Sequence, residues 1–111
     1  MNHEAKDRRE FFRIKYPRSE RRYVNINGRN FRVLDLSSGG VKLYGEDVSE
    51  FKVGQIIDAE TSLHDETTLY LFGKIIRIEN NEMAVRLSTP IPGDKIINEQ
   101  RYLINNYTGY Q

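Results

Sequence analysis

A chain of 111 residues has room for one domain around a modest core, and no second folding unit fits. The absence of cysteine excludes a disulfide framework and thiolate metal sites, which fits a cytoplasmic protein. Net charge is only +1, yet residues 1–32 carry ten Lys/Arg against four Asp/Glu while the remainder carries seven against twelve, so an anion would be steered to the N-terminal end. No apolar run approaches the ~18–20 residues of a membrane span, and the polar N-terminus has no signal-peptide core, so no membrane insertion is expected.

Residues 1–15 are too charged to build a core element and read as a flexible, arginine-rich arm, with Phe11, Phe12 and Ile14 able to anchor its end. Residues 16–111 read as the folded body. Tyr23–Ile26 and Phe31–Leu34 flank Asn27-Gly28, a hairpin signal because a type I′ turn needs positive φ at both central residues. Val41–Tyr44 and Gln55–Ser62 are the next strands, the latter introduced by a Val53-Gly54 turn. Leu69–Glu79 is a long apolar run in which Gly73 predicts a bend or bulge. Asn80-Asn81 then turns the chain into Met83–Leu87, where Met83, Val85 and Leu87 alternate with period two. Short strands at this spacing predict a mainly β fold, a small six-stranded antiparallel barrel. After Pro90-Ile91-Pro92 the pattern becomes helical. Ile96, Ile97, Leu103, Ile104 and Tyr107 share one face of a helix at about 93–107, with Asp94 expected as its N-cap, covering a barrel opening or edge.

Two segments carry the chemistry. Arg8, Arg9 and Arg13 concentrate guanidinium forks that match phosphates and guanine edges. Asp35-Leu36-Ser37-Ser38-Gly39-Gly40 ends a strand, with Asp35 and Ser37 on one side of an extended chain and a glycine that permits close approach. Each has a bland reading as well, the first as a solvated basic tail and the second as a bulge or turn bonding its own amides.

Together, Arg9-x-x-x-Arg13 preceded by Arg8, and Asp35-x-Ser37-x-x-Gly40 some twenty residues later, resemble the two motifs of the PilZ domain family. The resemblance covers the chain from arm to last helix. It implies a six-stranded barrel with a C-terminal helix, acting as a bacterial receptor for cyclic di-GMP. It implies that Arg9 and Arg13 grip the phosphates and guanine faces, that Asp35 and Ser37 bond a guanine edge, and that Gly40 allows close packing. Ser38 and Gly39 are secondary candidates in the same turn. Family members with an arginine at the place of Arg8 tend to hold an intercalated cyclic di-GMP dimer, so two nucleotides per chain are expected.

The expected mechanism is a clamp in which nucleotide orders the arm and creates a surface for a downstream protein, signalling in trans from a monomer. A first alternative is a PilZ-like adaptor that works without nucleotide. A second is nucleic-acid binding, against which stand the net acidic body and the lack of any RNP-type strand. No enzyme is expected. The histidines are His3 in the arm and His64 in the loop His64-Asp65-Glu66, read as an exposed polar loop, and no P-loop, nucleophile elbow or paired catalytic carboxylates occur. No metal and no cofactor beyond the nucleotide ligand is expected.

Overall fold

The structure, a computed structural model, describes residues 13–20 and 22–107. His3, Arg8, Arg9, Phe11 and Phe12 lie outside the described residues.

Among the described residues, seven strands and one helix follow in order: β1 (Ile14–Lys15), β2 (Tyr23–Ile26), β3 (Arg29–Leu36), β4 (Gly40–Tyr44), β5 (Ile56–Ser62), β6 (Thr68–Glu79), β7 (Glu82–Leu87) and α1 (Gly93–Asn106). They form one antiparallel sheet in the order β1-β3-β4-β7-β6-β5, with β2 also paired to β3. The sheet curls into a half-barrel that brings β2 against β5, where buried Thr61 donates its hydroxyl hydrogen to the Tyr23 carbonyl at 3.0 Å. The mainly β architecture with a C-terminal helix is as the sequence predicts. The strand beyond the expected six is β1, whose two residues continue the β3 ladder.

Turn chemistry sets the hairpins. Asn27 and Gly28 both have positive φ, 54° and 83°, as do Asn80 and Asn81 at 54° and 66°. That is the backbone twist a two-residue hairpin turn requires. Alternation then fills one face: Val24, Phe31, Val33, Leu43, Leu71, Ile75, Met83 and Val85 are all buried. Complete burial of such side chains contributes about 1.5–3 kcal/mol each.

Two expectations are corrected. The irregularity in β6 lies between Ile75 and Arg77 and leaves Ile76 as the extra residue, whereas Gly73 pairs regularly with Ile57 and Leu87. Gly73 is glycine for another reason: a Cβ there would run into the Arg86 backbone on β7. At α1, Pro92 occupies the N-cap position without a side-chain capping bond, and Asp94 sits in the first turn, where its charge suits the helix dipole. Proline at the cap displaces Asp94 into the helix. The buried stripe of α1 is Ile96, Glu99 and Leu103, with a carboxylate at its centre. Ile104, expected on that face, is 51% exposed.

Candidate functional site

The Asp35–Gly40 turn is positioned by a bulge. The β3–β4 register runs Val33 opposite Leu43, then Asp35 opposite Lys42, so Leu34 is an extra residue. Without it, strict alternation would point Asp35 into the core with Val33. With it, Leu36 is buried and Asp35 stands on the outer face, its carboxylate 3.9 Å from the Lys42 ammonium. Lys15 is the partner of Asp35 on the other side, in β1.

Past Leu36 the chain turns sharply. The Ser37 amide donates to the Gly40 carbonyl at 2.9 Å, and the Ser37 hydroxyl reaches the same oxygen at 3.4 Å. Ser38 ties the turn to the segment before α1. Its hydroxyl donates to the Ile91 carbonyl at 2.8 Å, and its own carbonyl accepts from the Ile91 amide at 2.8 Å. The Gly39 carbonyl accepts from the Leu87 amide. A Cβ on Gly40 would stand 3.1 Å from the Val85 carbonyl, so the neighbouring strand by itself favours glycine at this position.

Arg13 leads into the β1–β3 ladder. Ile14 pairs with Leu36 and Lys15 with Asp35, so Arg13 immediately precedes the first pair of this ladder, and its side chain is exposed. Ile14 is completely buried and fixes the entry point. Across β4, Gly40 lies opposite Arg86 on β7, and Arg86 opposite Lys74 on β6. The turn therefore faces a cationic row that sequence reasoning missed. Lys42, Lys74 and Arg86 occupy ordinary outward positions, and the pairings of β4 with β7 and of β7 with β6 gather them. The resulting surface can bind a multiply charged anion through guanidinium and ammonium donors, with Asp35 as a hydrogen-bond acceptor among them.

A second polar cluster lies under α1. The fully buried carboxylate of Glu99 accepts from the Tyr16 hydroxyl at 2.6 Å, from Arg22 Nε at 3.3 Å and from the His64 amide at 3.0 Å, while His64 Nδ1 lies 2.6 Å away. A carboxylate only accepts, so His64 Nδ1 carries the proton of that contact. Burial alone would raise the Glu99 carboxyl, but the bonds from Tyr16 and His64 and the Arg22 charge outweigh it and hold it below the ordinary carboxylate range. Burial and the Glu99 charge push the Tyr16 phenol up. Glu20 extends the cluster, pairing with Arg22 at 2.6 Å and accepting from the hydroxyls of Tyr102 and Tyr107. The His64 ring stacks on Tyr102 at 4.2 Å.

The expected exposed loop at His64 is thereby corrected: the residue is half-buried and tied to the helix. The only sequence signal was a lone glutamate among the apolar positions of the helix. Four donors saturate the Glu99 carboxylate, which leaves it no free lone pair for a substrate, so the cluster is a fastening between helix and barrel. Among the described residues no group of three or more His, Cys, Asp or Glu side chains could hold a metal ion. None of the described helices is long and apolar enough to cross a membrane.

The PilZ domain family model matches residues 7–105. Among solved structures, the crystal structure of the Legionella uncharacterized protein Lpg0364 is similar, with a TM-score of 0.59 and 14% identity. The match covers 84% of this chain and 94% of that one, a likeness of fold. No curated protein matches the chain.

Proposed function

This chain belongs to the PilZ domain family, and we propose that it is a bacterial cyclic di-GMP receptor. PilZ domains are in general binding domains rather than catalysts, and the proposed role here is recognition without chemistry. The observation that supports the reading is the register of β1 on β3: Ile14 pairs with Leu36 and Lys15 with Asp35, so the strand that follows Arg13 lies along the residues that lead into the Ser37–Gly40 turn.

In this reading Arg9 and Arg13 fork onto the phosphates and guanine faces. Asp35 accepts from a guanine edge, Ser37 completes that edge, and Gly40 keeps the surface flat. Arg8 extends the grip to a second nucleotide, so the ligand is an intercalated dimer, two molecules per chain. Ser38 and Gly39 act by holding the turn. The row Arg86–Lys74 supplies the surrounding positive potential.

Each charge-assisted bond contributes roughly 1.5–3 kcal/mol net. Ordering the arm costs on the order of 1–2 kcal/mol per residue, so affinity settles near micromolar, or somewhat tighter, and falls with salt. Closing of the arm forms the surface that a downstream protein reads in trans, in the cytoplasm.

Titration calorimetry with cyclic di-GMP tests this directly. The expected result is saturable binding at two nucleotides per chain, weakened by added salt. Absence of binding would overturn the receptor reading and leave the adaptor. One nucleotide per chain would overturn the dimer alone.

A further inference from the structure

We propose that a groove over β2, β3 and β4, away from the Asp35–Gly40 turn, is a second ligand site for a small aromatic anion of the nucleoside monophosphate class. The groove has a volume of about 580 Å³ and is lined by Tyr23, Arg29, Arg32, Tyr44, Glu46 and Asp47, among others. That size falls within the ~300–1,000 Å³ of small-molecule sites.

Its centre is Arg32. On β3, Arg32 pairs with Tyr23 of β2 on one side and with Tyr44 of β4 on the other. Paired residues project from the same face of a sheet, so a guanidinium stands between two phenol rings. Tyr23 is 46% exposed and Tyr44 38%, large aromatic surfaces for a folded chain to leave in water. Arg32 Nε is buried and has no hydrogen-bond partner among the described residues. A buried guanidinium donor without an acceptor is costly, and an incoming oxyanion relieves that cost.

The neighbouring arginine differs. Arg29 is held by Glu50 at 2.8 Å and by Asp47 at 3.6 Å, and it donates to the Asp47 carbonyl. Asp47 is in turn occupied by Arg29 and the Ser49 amide. The charges these two bring to the groove are thus engaged with each other, leaving Arg32 to meet an anion.

The ligand class follows from what the groove offers at three points. Arg32 takes a phosphate, with which a guanidinium forms paired hydrogen bonds. The Tyr23 and Tyr44 rings take a flat base, a contact worth having for any nucleobase because each has a π-face. Glu46, exposed at the rim, accepts from an exocyclic amine. Arg32 and Ser37 are five positions apart on the chain, on the order of 15 Å along a strand, so this site and the turn can be filled independently.

The test is residue-resolved NMR of the full chain titrated with adenosine 5′-monophosphate, with adenosine and inorganic phosphate as separate arms. The expected result is that the nucleotide moves the Tyr23 and Tyr44 amide resonances and the Arg32 side-chain Nε–H resonance, more strongly than either fragment alone. Arg32→Gln should weaken adenosine monophosphate at least tenfold while cyclic di-GMP binding is unchanged. Tyr44→Thr should weaken the nucleotide and leave phosphate as it was.

Shifts confined to Ser37–Gly40, or no shifts, would overturn the proposal. So would an unaltered affinity in Arg32→Gln, and phosphate binding as tightly as the nucleotide would overturn the role of the rings. The wild-type titration decides the matter even if a variant fails to fold.

Discussion

Single side chains divide here into those that the proposed receptor function assigns to a ligand and those that fasten the fold. Arg13 and Asp35 are proposed for the first kind. Arg13→Ala or Asp35→Ala should each weaken cyclic di-GMP binding, the arginine change by ~2–3 kcal/mol, roughly 30- to 150-fold. Arg101→Ala, exposed on α1, should leave it unchanged, and calorimetry across the three variants checks the pattern. Glu99 is of the second kind. Removing it leaves the Tyr16 hydroxyl, Arg22 Nε and His64 without their acceptor, so Glu99→Ala should cost ~3–5 kcal/mol in urea unfolding. Its carboxyl is held below the unfolded value, so its contribution is present above that value and is lost as pH falls through the depressed folded one. Wild type should therefore lose Tm more steeply than Glu99→Gln as pH is lowered from 6 to about 3. The roles proposed for Arg13 and Asp35 rest on short motifs, which a sequence displays by itself. The Glu99 role was not legible there, since nothing local says that a helix glutamate will meet a tyrosine 83 residues away.

At the scale of elements, hairpins and strand contacts make separate predictions. Asn81 holds φ of 66° in the β6–β7 turn, a conformation that glycine adopts freely and β-branched residues resist. Asn81→Gly should be neutral or slightly stabilising, while Asn81→Val should destabilise by about 1–2 kcal/mol, as judged by the urea midpoint. Gly73→Ala drives a methyl group against the Arg86 backbone, which cannot swing away like a side-chain tip, and should cost about 2–3 kcal/mol. Both asparagine-containing turns were readable, because positive φ restricts residue type locally. The bulge at Leu34 was not. It is recognisable only from the pairing of β3 with β4, yet it is what turns Asp35 outward.

For the whole molecule, the proposed clamp predicts that nucleotide stabilises the folded state. At ~100 times its Kd the ligand should add about 2.7 kcal/mol, raising Tm by on the order of 10 °C for a domain of this size. Hydrogen exchange gives a second readout: amides of residues 6–15 should become protected on adding cyclic di-GMP, and unchanged protection would refute the clamp. Periodicity and turn residues alone determined the β-rich order of elements and the C-terminal helix, because alternation and positive φ are properties of neighbouring residues. Tertiary structure decided the rest. The pairings of β4 with β7 and of β7 with β6 set Arg86 opposite Gly40 and Lys74 opposite Arg86, the β1–β3 register set Ile14 opposite Leu36, and the folding of α1 onto the barrel buried Glu99 among its donors. Those contacts join residues far apart along the chain, and their energies arise only after the sheet has closed its loops, so no local pattern records them.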